Sequence, residues 1–453
     1  MLKKTALAAA IAATCASPLH AYAADSRELT EIREQIRQMK NDYESRIQAL
    51  EKRLAEAHSQ QKVPATPTAA ASQLVEIPAI AVAPVPAAAA SNGNGFNPAI
   101  SLILGGTYAH LKQDPTQYRL QGFMTGGEVG PGSRSFNLGE SELTFSANID
   151  HIFSGQLTFA LGSDNSASVE EAFVQAKGLA GGTNLKAGRF LSGIGYMNSQ
   201  HAHTWDFVDA PLAYQAFFGG QYKQDGLQAK WIAPTDTYVE IGAEIGNGGS
   251  FPGTTRNKNG ANAAAMFART GGDIGTSSSW RAGISYLRTR AEDRVHTELD
   301  GSEFAFSGRS SLWVADAVYK WAPGGNASST SLKLQGEYFR QKENGALDSG
   351  GNYRSGAQSG WYVQGVYQFM PNWRTGLRHD RLHSGTPTIE SGSFPSLAPY
   401  SPQRTSWMLD YSPSEFSRIR LQLAQDKSRP GITDNQIFLQ YLMSLGAHGA
   451  HSY

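Results

Sequence analysis

The chain has 453 residues with 39 basic and 39 acidic side chains, so its formal net charge is zero. That balance speaks against nucleic acid as a partner, which needs a basic surface. The one cysteine, Cys15, falls in the N-terminal leader, so the mature chain has no disulfide and no thiolate metal site.

Residues 1–24 read as a secretory signal peptide. Lys3 and Lys4 precede the apolar run Thr5 to Ala13, and Ala21-Tyr22-Ala23 is a small-x-small cleavage site. No other segment offers the roughly 18 unbroken apolar residues of a membrane helix, which excludes a helical membrane protein. Residues 25–60 repeat apolar positions at steps of three and four (Leu29, Ile32, Ile36, Met39, Tyr43, then Ile47, Leu50, Leu54), the pattern of a short coiled coil with a stutter. So polar a helix is marginal alone, which points to self-association. Residues 61–95 are a Pro/Ala-rich linker, extended and semi-stiff, that would hold the coiled coil in the periplasm.

From Phe96 onward the period changes to two. Sixteen segments alternate apolar and polar residues: 98–111, 135–150, 154–161, 169–177, 183–190, 225–231, 238–246, 264–271, 278–289, 310–321, 331–341, 358–369, 372–382, 403–411, 416–426 and 434–445. The joins alternate too, short and turn-like, then long, as in barrels with tight periplasmic turns and long outer loops. In the last hairpin Ile419, Leu421 and Leu423 alternate with Arg418, Arg420 and Gln422. A packed core would not accept those arginines unpaired, whereas a wall with lipid on one side and water on the other accepts both faces. The expected fold is all-β and transmembrane: a 16-stranded antiparallel β-barrel over residues 96–453 with an N-terminal helical coiled coil. Trp280, Tyr286, Trp313, Tyr319 and Trp361 fall where an interfacial aromatic belt would lie.

The inward faces carry the expected pore lining. Glu142, Asp150, Glu171, Glu240 and Glu244 come from the early strands. Arg281, Lys333, Arg374, Arg378, Arg418 and Arg420 come from the late ones, with Asp316, Glu337, Asp380 and Asp410 among them. Acids on one arc and bases on the other would set up a transverse field that orients dipolar solutes, unless the charges pair with one another. The longest join, 191–224, is too apolar and aromatic for water and is expected to fold inward as a third outer loop. It also holds His201, His203, Asp206 and Asp209, imidazole and carboxylate groups suited to zinc, copper or nickel. Polar loop histidines without metal are the alternative. His448 and His451 follow the last strand. No nucleophile–base spacing stands out, so no enzyme and no cofactor are expected, with zinc only as a ligand or substrate.

The barrel region resembles the 16-stranded trimeric porins of Gram-negative outer membranes, nearest the phosphate-selective porin-like superfamily. Gly376-Leu-Arg-His-Asp-Arg-Leu382, Gly188-Arg-Phe190 and Phe438-Leu-Gln-Tyr-Leu-Met-Ser-Leu-Gly446 carry the likeness. Asn97-Pro-Ala-Ile-Ser-Leu-Ile-Leu-Gly105, Phe136-Asn-Leu-Gly-Glu-Ser-Glu142 and the His-Ala-His loop are similar to a proteobacterial family often labelled zinc-regulated or TonB-dependent outer membrane proteins. The resemblance implies a homotrimer in the outer membrane, contacting its lipid and passing small hydrophilic solutes, metal ions or chelates among them. His379 stands where the superfamily motif has Tyr, and no basic cluster for phosphate is evident, so phosphate selectivity does not carry over. The alternatives are a metal-uptake receptor of TonB-dependent type, whose barrel has about 22 strands, and a protein tethering envelope layers through its coiled coil.

Overall fold

Alternation builds strands because successive side chains point to opposite faces. The computed structural model describes residues 98–446 apart from residues 140, 163–165 and 299. Sixteen long strands form its wall: β1 (Ala99–Leu111), β2 (Ser141–Asn148), β3 (Phe153–Leu161), β4 (Ala167–Leu179), β5 (Thr183–Leu191), β6 (Lys223–Ile232), β7 (Tyr238–Gly246), β8 (Ala263–Ile274), β9 (Ser278–Thr297), β10 (Glu303–Trp321), β11 (Ser331–Leu347), β12 (Gln358–Met370), β13 (Trp373–His383), β14 (Gln403–Ser414), β15 (Ser417–Lys427) and β16 (Asp434–Gly446). Each pairs antiparallel with the next, and β16 closes on β1 from Ser101↔Gly446 to Leu111↔Gln436. Closure satisfies every edge, which a wall in lipid requires. The sixteen strands read from the sequence are therefore found, closed into a barrel. The signal, the coiled coil, the linker and the His448/His451 tail lie outside the described residues.

The two faces separate as the alternation demands. In β16 Ile437, Leu439 and Tyr441 are exposed on the outside, while Gln436, Phe438 and Gln440 are buried inside. Ile284, Trp313, Leu334, Val363 and Leu377 continue the exposed apolar wall on β9 to β13. So large an exposed apolar surface marks contact with another apolar phase.

Three sequence expectations need correction. The segment 135–150 is split: Ser135–Leu138 is a short separate strand paired with upper β1, and β2 pairs with lower β1. Between Gly106↔Leu138 and Ile103↔Glu142 β1 advances three residues and the partner four, a β-bulge. There the Gly105 N–H donates to Ser141 Oγ (3.0 Å), and the extra residue keeps both Leu138 outward and Glu142 inward. Second, β9 and β10 reach far beyond 289 and 310. A bulge between Ala291 and Arg294 breaks the parity, and the charged run Arg290 to Arg294 hides the strand. Phe304, Phe306, Leu347 and Tyr353 make an apolar cluster inside this extension. Third, Asp150 does not face the lumen. It accepts from the Ile152 and Phe153 N–H groups (2.7 Å each) in the β2–β3 turn, the local bonding that favours Asp in turns.

Candidate functional site

The join between β5 and β6, residues 192–222, lies inside the barrel. Its anchor is a short helix, α1 (Leu212–Phe218), every residue of which is buried. Tyr214, Phe217 and Phe218 pack around Phe339 of β11, with ring centroids 5.2, 5.8 and 5.7 Å away. Each such ring contributes roughly 1.5–3 kcal/mol by leaving water. The helix stops at Gly219, whose φ of 64° is left-handed, and a Cβ there would meet Gly126 O at 2.1 Å. Gly126 belongs to the first long join, which also sends Leu120 and Phe123 into the same cluster. At the base, Asn198 ties the loop's two ends: its amide donates to Ser192 O and Tyr222 O (2.8 Å each) and its carbonyl accepts from Tyr222 N–H (2.7 Å).

One end of the loop meets the acidic wall. His201 precedes and His203 lies within a 3-10 turn (Ala202–Thr204), with rings stacked 5.7 Å apart. His201 Nδ1 lies 3.1 Å from Glu142 and 3.0 Å from Glu170, and its Nε2 lies 3.1 Å from Glu171. His203 Nδ1 is 2.9 Å from Glu142. Burial disfavours charge on His201, but hydrogen bonds to Glu142, Glu170 and Glu171 outweigh it and hold the imidazole well above its ordinary range. One donor atom each from Glu142, Glu170 and His201 lies within 4.8 Å of the others, a set of N and O ligands that suits a divalent transition metal. Glu244 holds the start of the loop instead, accepting from Ser192 Oγ (2.6 Å) and Gly193 N–H (2.8 Å). Glu240 pairs with Arg269 of β8 (2.7 Å), whose guanidinium also donates to the Gly193 and Gly195 carbonyls.

The other end meets the basic wall. Asp206 accepts from Lys333 (3.0 Å), Gln364 (3.0 Å) and Arg374 (3.3 Å). Asp209 lies between Arg378 (2.7 Å) and Arg404 (2.6 Å), both buried. Burial raises the affinity of these carboxyls for protons, but Lys333 and Arg374 at Asp206, and Arg404 and Arg378 at Asp209, reverse this and lower both below the usual carboxylate range. Arg420 pairs with Asp410 (2.7 Å) and donates to Trp205 O (2.8 Å), and Arg418 donates to His203 O. Arg281 lies 3.6 Å from Asp316 and its guanidinium is 4.5 Å from the Tyr196 ring centroid. In the middle, Glu337 accepts from Tyr214, Tyr362 and the N–H groups of Tyr196 and Met197.

The four residues expected to share one metal are thus divided. The histidines lie on the acidic wall and the aspartates on the basic one, because the loop spans the lumen and delivers to each wall the opposite charge. At the level of the loop the two arcs do not face each other across open water.

Three partners are missing from the sequence expectations, and the role of a fourth, Glu337, is larger than expected. Arg269 and Arg404 sit on inward positions of recognised strands, and parity alone would have named them. Glu170 is the extra residue of a bulge, since β3–β4 pairing steps from Thr158↔Glu171 to Phe159↔Val169. Its signal was a pair of adjacent glutamates in a strand where alternation would push one into lipid. Glu337, expected in the lumen as an acid among bases, is the hub that holds Tyr214, Tyr362 and the start of the loop. The fold also gathers a basic cluster that linear order concealed: Lys186, Lys230, Lys320, Lys333, Arg374 and Arg418 face inward near the short-turn ends of their strands.

The chain is 32% identical over 391 residues, 79% of its own length and 80% of the relative, to an uncharacterised protein of Aquifex aeolicus (strain VF5). The chain belongs to the family of that protein. No family model matches it. Among solved structures it is similar to a loop L8 deletion mutant of OmpT, an outer membrane protein of Vibrio cholerae. The TM-score is 0.50 at 11% identity, over 77% of this chain and 99% of that one. An anion-selective porin from Comamonas acidovorans aligns with a TM-score of 0.47 at 10% identity, over 77% and 99%. The fold is that of the 16-stranded porin-like barrels. Sixteen strands do not make the larger barrel of a TonB-dependent receptor.

Proposed function

We propose that this protein is an outer-membrane porin, a homotrimeric passive channel for small hydrophilic solutes. The observation that carries the reading is a closed barrel, apolar outside and charged inside, crossed by a loop bonded to both inner walls. Such a loop narrows the route and lines it with imidazole, carboxylate and guanidinium groups. A hydrated solute keeps hydrogen-bond partners on passing it, while an apolar solute must desolvate these groups for nothing in return. The inward cations at the short-turn end raise the local concentration of anionic or zwitterionic solutes. Purified protein in a planar bilayer is expected to show discrete conductance steps. A folded trimer that never conducts removes the reading. The envelope-tether alternative rests on residues 25–60 and would be favoured by that silent outcome.

A second reading makes divalent metal ions part of the cargo. Its support is the convergence of Glu142, Glu170 and His201, with His203 beside them. A metal ion arriving there must displace the proton that the glutamates hold on His201. Micromolar Zn2+ is expected to lower conductance in the wild type and to have no effect in His201→Ala/His203→Ala. Identical traces in both proteins, with and without zinc, would dispose of the metal version.

A further inference from the structure

Nearly every cation inside the barrel has a carboxylate, carbonyl or ring partner. The outside of β9 to β13 is different. Arg288 and Arg290 of β9, Arg309 of β10, Arg340 and Lys342 of β11, and Arg381 of β13 are all exposed on the outward face. Among the described residues none of these six side chains has an ion pair or hydrogen bond. Elsewhere on the outer wall the matching positions are neutral, such as Ala264 and Met266 on β8 or Ile437 and Asn435 on β16, or hold scattered charges, such as Arg189, which is paired with Asp225, and Lys427.

The strand registers place these cations in rows. Tyr286, Trp313 and Arg340 are direct cross-strand neighbours, and the next row toward the long loops is Arg288, Ser311 and Lys342. The row beyond it is Arg290, Arg309, Asn344 and Arg354. Successive rows are two residues, about 6.7 Å, apart. Below them lie exposed Ile284, Tyr338, Val363 and Leu377. Along β9 the outward face therefore passes from Ile284 through Tyr286 to Arg288, and along β11 from Leu334 through Tyr338 to Arg340 and Lys342, the order of acyl chains, interface and headgroups. Arg381 follows Leu377 and His379 on β13 and pairs in register with Trp361. A hollow of about 620 Å³ opens in the top row, lined by Arg309, Asn344, Arg354, Thr388 and Glu390 among others.

We infer that this face of the barrel binds a phosphate-bearing lipid of the leaflet on the long-loop side, its acyl chains on β9 to β13 and its phosphates on the arginine rows. Unpaired arginines facing outward are costly at mid-membrane and nearly free at the interface, so the rows mark the headgroup level. Guanidinium forks match phosphate oxygens two at a time. A second copy of this chain would bring the same cations against themselves. Free phosphate would leave the aliphatic and aromatic rows uncovered, whereas a lipid covers both.

The inference rests on the membrane reading above, and its test separates the two. Detergent-purified trimer is incubated with a bis-phosphorylated lipid A, with its dephosphorylated form, and with inorganic phosphate, and retained ligand is read by native mass spectrometry. Conductance in the same preparation reports the channel. Wild type is expected to retain the phosphorylated lipid at least about tenfold over the dephosphorylated one, and over Arg288→Gln/Arg309→Gln/Arg340→Gln/Lys342→Gln. That variant touches no inward residue, and unchanged conductance shows that it is folded. Equal retention by both proteins, no preference for the phosphorylated lipid, or retention of inorganic phosphate that competes the lipid away overturns the inference. None of these three outcomes alters the conductance by which the channel itself stands or falls.

Discussion

Asp209→Ala is expected to free the loop from the basic wall and raise single-channel conductance severalfold. One oxygen of this carboxylate accepts from Arg378 and Gln422 (2.7 and 3.0 Å), and the other lies 2.6 Å from Arg404. Both arginines are at most 2% exposed. Removing one member of a buried ionic cluster costs about 3–5 kcal/mol, mostly because the charges left behind have lost water and partner alike. Asp380 stays beside both guanidiniums, at 3.0 and 3.7 Å, which favours the lower end of that range. The barrel itself does not depend on Asp209, so the loss falls on the loop. New protease cleavage between residues 192 and 222, together with larger and noisier conductance steps, would show release. Unaltered steps would mean that Asp206 and the α1 core suffice to hold it. The pH dependence follows from the sign of the shift. A carboxylate lowered in the folded state contributes stability above its unfolded value of about 3.9, and loses it only as pH falls through the lower folded value. Wild-type conductance should therefore stay flat from neutral to pH ~5 at this wall, and rise only in stronger acid.

Glu337→Ala should be the most destabilising single change inside the barrel. Tyr362 and Tyr214 donate to this carboxylate (2.6 and 3.0 Å), as do the backbone N–H groups of Tyr196 and Met197 (3.0 and 3.1 Å). Alanine leaves four donors on buried residues, at roughly 1–3 kcal/mol for each one not re-paired. It also opens a cavity beside α1. Because the side chain joins the wall, the start of the loop and the helix, these losses do not relax independently. The midpoint temperature of heat-induced unfolding, read by gel mobility, is expected to fall clearly below that of wild type. Glu337→Gln, which keeps the shape and one acceptor oxygen, should fall between the two. A midpoint equal to wild type for the alanine variant would show that the hub is dispensable.

The strands were legible because different surroundings on the two faces impose a period of two, and burial in β16 alternates from Ile437 to Leu442 even though Phe438 and Leu442 are apolar residues facing inward. Legibility failed wherever parity slipped by one residue. The bulges at Glu170, at Gly139 and after Ala291 each change which side chain faces inward, and each depends on a partner strand distant in sequence. The aromatic run at Tyr214, Phe217 and Phe218 also reads directly as a segment unsuited to water. Which wall each loop residue meets does not, because that depends on where the crossing loop lands.

The sequence alone therefore determined the period, the number of strands, the alternation of join lengths and the residue types held inside. These are local consequences of solvent on the two faces of one strand. Only the tertiary structure decided the partners. It separated His201 and His203 from Asp206 and Asp209, and it stacked Arg288, Arg309 and Lys342 from three strands on one outer face. Electrostatic pairing acts through space over a few ångströms, and neighbours at that range are set by register and closure, which no single strand encodes.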